Sequence, residues 1–282
     1  MIPRHLRSRA PIIHSPAARP PAGRHHERVP ERDHGAEVRF LGTGNYLAPG
    51  RYWNSFVLGG RILVEPAPTV LPHMRMVGVT AAQIDVVAIS HFHADHTFGW
   101  PFLLLELLQQ ERSSPLHLVG PRGLRDFLSS MLDLGGVPNV AAAARQMLDM
   151  RFVEIDGGWQ MAGSLRFRGV EVEHVPHLDC YGYLFDMDEQ IVGYSGDTRP
   201  CAGLEELARR AEVLILECNG PHDPRLPVTH MDVAAVEGVR RRHPDLPLVL
   251  THLGTEPDLT NLPNTVVPDD LQTMLLRRRP RP

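Results

Sequence analysis

One short run constrains this chain more than any other feature: His91-Phe92-His93-Ala94-Asp95-His96. Three imidazoles and a carboxylate within six residues form a donor set that suits zinc and other borderline divalent ions. The run follows Ile84-Asp85-Val86-Val87-Ala88-Ile89, an apolar stretch that reads as a buried strand. Burying such a cluster without a cation would be costly. In a loop, His91 and His93 can point one way while Asp95 and His96 reach a second point. That arrangement suits two ions ~3.5–4 Å apart. The chain is therefore expected to build a sheet whose strand end holds a metal loop rigid.

Periodicity supplies the rest of the frame. Strands are expected near residues 37–41, 55–58, 61–65, 84–90, 116–119, 150–154 and 165–175. Further strands are expected at 181–186, 190–194, 213–217 and 246–251. Helices are expected over 69–78, 100–112, 123–134, 204–210 and 231–242. Strand-rich stretches that each give way to helices fit an α+β sandwich, with two sheets face to face and helices outside. Residues 1–36 are rich in Pro, Arg and His and lack periodicity, so they read as a disordered leader before a domain over 37–282.

Composition excludes several classes. A net charge of −4 gives no general basic field for nucleic acid. All 29 basic residues are Arg, so no lysine can act as a nucleophile or phosphate clamp. There is no Gly-x-Gly-x-x-Gly or Walker-type loop, and no Gly-x-Ser-x-Gly elbow. No apolar run reaches the ~18 residues of a membrane span. The odd set Cys180, Cys201 and Cys218 does not form a disulfide framework and points to a cytoplasmic protein.

The His-x-His-x-Asp-His run resembles the signature of the metallo-β-lactamase superfamily. Gly196-Asp197-Thr198, after residues 191–194, and Thr251-His252, after residues 246–250, resemble its later landmarks in the same order. The resemblance covers roughly residues 38–270 and implies a four-layer αββα sandwich. It also implies two divalent ions, zinc by default with manganese or iron as alternatives. One ion would take His91, His93 and a third His; the other would take Asp95, His96 and His252, with Asp197 bridging. Both His174 and His177 could be the third His, and His177 is preferred because it lies before Cys180-Tyr181-Gly182-Tyr183.

Phe40-Leu41-Gly42-Thr43-Gly44-Asn45, Asn54-Ser55 and Thr229-His230-Met231 resemble the ribonuclease Z and phosphodiesterase branch. That resemblance implies phosphodiester hydrolysis by a metal-bridging hydroxide, with Asp95 and His230 in catalytic roles. It also implies an RNA or small diester substrate, no membrane partner, and a homodimer. Leu253-Gly254-Thr255-Glu256 departs from the ribonuclease Z pattern, and no Gly/Pro-rich basic arm is evident. A smaller diester substrate therefore competes with tRNA. The alternatives are ester, lactone or thioester hydrolysis on the same site, or a non-catalytic metal-binding member of the fold. Glu217, Asp269 and Asp270 are candidates for shaping the site, the two aspartates more as helix caps. Trp53, Phe98 and Trp100 are expected to pack beneath it.

Overall fold

The alternation in Glu37-Val38-Arg39-Phe40 buries Val38 and Phe40 and leaves Glu37 and Arg39 half-exposed, as a strand with one face on a core requires. This strand opens the first of two sheets in a computed structural model. The structure describes residues 35–279 other than 111, 188–189, 222–224 and 226. Apart from Gly35 and Ala36, the expected leader lies outside the described residues. Ala36 is tied to the fold, its N–H donating to Gln190 Oε1 at 2.8 Å.

The first sheet holds β1 (Glu37–Gly42), β2 (Ser55–Leu58), β3 (Ile62–Val64), β4 (Val86–Ala88), β5 (Leu116–Gly120) and β6 (Met150–Glu154). The second holds β7 (Trp159–Ala162), β8 (Leu165–Glu171), β9 (Tyr181–Met187), β10 (Gln190–Tyr194), β11 (Val213–Glu217), β12 (Leu248–Thr251) and β13 (Thr265–Val266). A last strand, β14 (Thr273–Leu275), returns to pair with β1. The orders are β14-β1-β2-β3-β4-β5-β6 and β13-β12-β11-β10-β9-β8-β7. Each sheet is antiparallel on one side and parallel on the other: β3 to β6 in the first, β10 to β13 in the second.

Three apolar clusters separate four layers. The middle one joins Phe40, Phe56 and Val86 of the first sheet to Phe167, Tyr183 and Ile215 of the second. Outside the first sheet lie α1 (Val70–Met76), the short α2 (Ala94–Thr97), α3 (Trp100–Gln109), α4 (Leu124–Leu134) and α5 (Pro138–Met147). Outside the second lie α6 (Ala202–Arg210) and α7 (Val233–Arg242). The outer clusters pack these helices through residues such as Leu103 and Leu128 on one side and Leu207 and Val239 on the other. This is the expected αββα sandwich.

Some elements were not anticipated. The helix α5 was missed because its sequence is dominated by alanine and buries only Ala141 and Ala144. The strands β7, β13 and β14 are short edge or near-edge strands with weak alternation. The strand expected over 165–175 stops at Glu171. No helix follows Asp269 or Asp270. Instead Asp270 accepts the Thr43 N–H and hydroxyl and the Tyr52 N–H, which ties the C-terminal stretch to the first loop.

Candidate metal centre

The strand directions bring scattered residues to one edge. Because β8 and β10 are both antiparallel to β9, they run the same way, and β11 and β12 run parallel to β10. Their C-terminal ends therefore share an edge. His174 lies three residues beyond β8, Asp197 three beyond β10, Glu217 at the end of β11 and His252 one beyond β12. From the first sheet, β4 leads through Ser90 into His91, His93 and α2, which carries Asp95 and His96. A hydrogen bond from the Tyr181 N–H to the Ser90 carbonyl (3.0 Å) stitches the two edges together.

Backbone geometry is exacting here. Gly196 adopts φ +59°, and a Cβ there would lie 2.6 Å from the Tyr181 carbonyl oxygen and 3.0 Å from Ser90 Cβ. Only glycine fits this turn that aims Asp197 inward. Glu65 and His252 also take positive φ, +57° and +51°, a conformation that costs non-glycine residues of order 1 kcal/mol and is held by surrounding structure.

Two clusters meet at Asp197. Donor atoms of His91, His93, His174 and Asp197 lie within 4.8 Å of one another, as do those of Asp95, His96 and His252. Asp197 Oδ2 sits 3.3 Å from His96 Nε2, 3.5 Å from His252 Nε2, 3.8 Å from His91 Nε2 and 3.9 Å from His174 Nε2. Asp95 Oδ2 is 3.6 Å from His96 Nε2 and 3.7 Å from His252 Nε2. His230 shares a further cluster with Asp197 and His252. The structure brings the site residues expected from sequence together, with one difference. His174 joins the cluster and His177 does not: His174 keeps the buried phase of Val170 and Val172, whereas His177 lies exposed in the following turn.

The donor chemistry fits a cation. His174 Nδ1 faces the Thr229 carbonyl at 2.9 Å and so carries the proton, which leaves the Nε2 lone pair aimed at His93 Nδ1, 3.3 Å away. His91 Nε2 and His93 Nδ1 stand 2.9 Å apart, and Ser90 Oγ lies 2.9 Å from His91 Nδ1. Both ring nitrogens of His96 and of His252, and Asp197 Oδ1, are buried without a hydrogen-bond partner. Buried polar atoms are rarely left so. Several lone pairs converging on a shared point are what a divalent ion satisfies.

Electrostatics match this for the His91, His93 and His174 cluster and for Asp197. Burial and the neighbouring His96 ring push the His91 pKa well down, against the pull of Asp197. Burial lowers His93, and it lowers His174 to about 4, so these rings are neutral donors at pH 7. Burial also opposes ionisation of Asp197, but the surrounding rings, His252 and His96 foremost, hold it well below the usual carboxylate range. For His96 and His230 burial again opposes charge but is outweighed. Asp197 and Glu65 raise His96 well above the usual range, and Glu217 and Asp197 raise His230 to about 9.

Two carboxylates stand behind the rings. Glu65, fully buried, accepts the Ser90 N–H (3.1 and 3.3 Å) and lies 3.6 Å from His96 Nδ1. Sequence reading assigned Glu65 no role at the site. Its one signal is an acid closing the apolar strand Ile62-Leu63-Val64. Glu217 accepts the Thr198 N–H (2.5 Å), lies 3.1 Å from His230 Nδ1, and is 3.9 Å from His252 Nδ1. Of the aromatic residues expected beneath the site, Trp100 is buried and Trp53 half-buried, but Phe98 is exposed. Its neighbour Gly99 packs too closely on the Ala67 carbonyl for any Cβ.

The family model described as "Beta-lactamase superfamily domain" matches residues 60–253, and the chain belongs to that superfamily. A ribonuclease Z of Lachnospira eligens is 30% identical over 154 residues, covering 52% of this chain and 47% of the relative. The chain thus spans about half the length of that relative. Human tRNase Z, short form, superposes with a TM-score of 0.66 at 20% identity, over 85% of this chain and 99% of that one. A diphosphatase of the PhnP family superposes with a TM-score of 0.67 at 17% identity, over 86% and 99%. These two likenesses show the shared fold. Among the described residues, no helix is long and apolar enough to cross a membrane.

Proposed function

We propose that this chain is a metal-dependent hydrolase of phosphodiester bonds that uses two divalent cations, zinc by default for so imidazole-rich a site. The observation that carries this reading is the convergence of two donor clusters on Asp197, with buried nitrogens of His96 and His252 lacking partners. His91, His93 and His174 would hold one cation, Asp95, His96 and His252 the other, and Asp197 would touch both. Bound there, such ions lower the pKa of water toward neutrality and offset charge on a phosphoryl group.

The chain's own groups do the rest. The Thr229 carbonyl and the carboxylates of Glu65 and Glu217 orient the rings behind the donor set. Asp95, partly exposed beside His96 and His252, would take a proton from water there. His230, partly buried and held by Glu217, would donate a hydrogen bond or a proton to the leaving oxygen. The ribonuclease Z relative supports an RNA substrate. The mildly acidic chain and the Leu253-Gly254-Thr255-Glu256 departure support a small diester, and the small diester is the reading preferred here. Three free cysteines suit the cytoplasm.

The test is metal analysis of purified protein alongside hydrolysis of bis-4-nitrophenyl phosphate, precursor tRNA, lactones and thioesters. About two zinc equivalents and turnover of the diester are expected. Turnover confined to lactones or thioesters would replace the phosphodiesterase reading, and metal-loaded protein inert on every class would replace the enzyme reading.

A further inference from the structure

Two helical stripes outside the first sheet run from the edge of the core to the surface. Phe98, just ahead of α3, and Phe102 and Leu105 within it recur at i, i+4 and i+7. On α4, Phe127, Met131 and Leu134 recur at the same spacing. That spacing gathers each trio on one helix face. The two faces wall a groove of about 510 Å3, and Ser130 is the one polar side chain among its described walls. Phe98, Phe102 and Leu134 are 51%, 59% and 89% exposed, which is unusual for large apolar groups gathered in one patch.

One end of this groove adjoins the loop and turn that carry the donor residues. Phe127 stacks on Phe92, ring centroids 4.2 Å apart and planes at 9°, and Phe92 sits between His91 and His93. Phe98 caps α2, the turn that carries Asp95 and His96. Since β4 and β5 are parallel, the loop leaving β4 and the helix entered from β5 begin at the same edge of the sheet. The groove volume falls within the ~300–1,000 Å3 of small-molecule pockets. Its walls carry no charge, so they offer nothing to a sugar-phosphate chain or a charged peptide.

This inference rests on the hydrolase reading: we propose that the α3–α4 groove binds an uncharged alkyl or aryl substituent of the substrate while the ester bond lies at the metal centre. A linear chain suits it better than a second protein, because the walls lead from Phe98, two residues past His96, along both helices. The site would then select amphiphilic diesters over ones with two polar arms.

The test uses the metal-loaded full chain with methyl, butyl and octyl 4-nitrophenyl phosphate. It also uses calorimetric binding of octyl phosphate and methyl phosphate to the chain with and without metal. In the unaltered protein, kcat/KM should rise two- to fourfold per methylene over the first few added, the order expected for burying a CH2. Octyl phosphate should bind at least tenfold tighter than methyl phosphate. Phe102→Asp should remove both gains, and Phe102→Leu should retain most of each. A flat chain-length series with normal methyl ester turnover would overturn the groove while sparing the hydrolase. Inertness to all diesters, with octyl phosphate still bound in a Phe102-dependent way, would do the reverse. A dimer by light scattering that Phe102→Asp splits, with the chain-length gain intact, would show a second copy covering the groove and would overturn the proposal.

Discussion

The two sheets supply the same centre in opposite ways. The first sheet delivers His91, His93, Asp95 and His96 within six residues from the end of β4 alone. The second delivers His174, Asp197 and His252 singly, from the ends of β8, β10 and β12, with Glu217 from β11 behind them. A contiguous loop can hold its shape through local bonds, such as the Thr97 hydroxyl donating to the His93 carbonyl at 2.8 Å. The scattered set has no such recourse, and its geometry is only as good as the packing that aligns four strands. The contrast teaches that the first half of the centre is built by sequence proximity and the second by sheet registry.

Breaking the point where both halves meet should cost most. Asp197→Ala removes the carboxylate reached by four rings, and diester turnover is expected to fall by ~10^3-fold or more, the scale seen when a key charge is lost from a reacting centre. Metal stoichiometry by atomic emission should fall with it. Full activity with two ions retained would sink the idea that the halves are joined there.

The next effect separates two neighbours in the scattered half. His174→Ala should lower activity and metal retention by more than about 100-fold, beyond the usual range for losing a supporting contact. His177→Ala should stay within about threefold, since exposed positions away from such features are usually near neutral. A chelator competition titration on both variants reads the difference, and the reverse ranking would restore His177.

The backing carboxylates test the halves one at a time. Glu65→Gln loosens His96 on the first side and Glu217→Gln loosens His230 and His252 on the second. Each should lower metal affinity or turnover by roughly 10- to 100-fold. If only Glu217→Gln has an effect, the contiguous loop is self-supporting and the contrast is sharpened.

The smallest effect lies farthest from the site. Glu205 on α6 accepts from Arg242 Nε at 2.9 Å and lies 2.7 Å from His243 Nε2, which ties the two helices behind the second sheet. Partial burial opposes its ionisation, but the hydrogen bonds from Arg242 and His243 outweigh that and lower its pKa. A carboxylate with a depressed folded-state pKa stabilises above its unfolded value, and the contribution is lost as pH falls through the folded value. Glu205→Gln should therefore lower stability by under about 1 kcal/mol at pH 7, with the difference vanishing in acid below its folded-state value. Urea unfolding at both pH values checks this, and a larger loss in acid would refute it.

Legibility followed the same divide. The His91–His96 run, the strand leading into it and the apolar cores of both sheets could be read from residue order, because periodicity and local donor density are local properties. The landmarks Asp197 and His252 were legible through resemblance, each placed after an apolar strand. The choice between His174 and His177 was not. A strand expected to reach residue 175 ends at Glu171, and only the way the chain leaves β8 decides which ring turns inward. Glu65 was hidden because an acid closing a strand is an ordinary surface feature until a second element covers it. Asp270 was expected as a helix cap, and its actual partners, Thr43 and Tyr52, could not be read because they lie more than 200 positions away.

The sequence by itself determined most of the strands and helices and their order, and that one loop gathers three imidazoles and a carboxylate. Hydrophobic period and donor spacing act over a few residues and leave their mark in the chain. Tertiary structure alone decided which distant groups complete the centre and what stands behind them. Burial, ring orientation and proton placement depend on neighbours that only the packed sheets bring within reach.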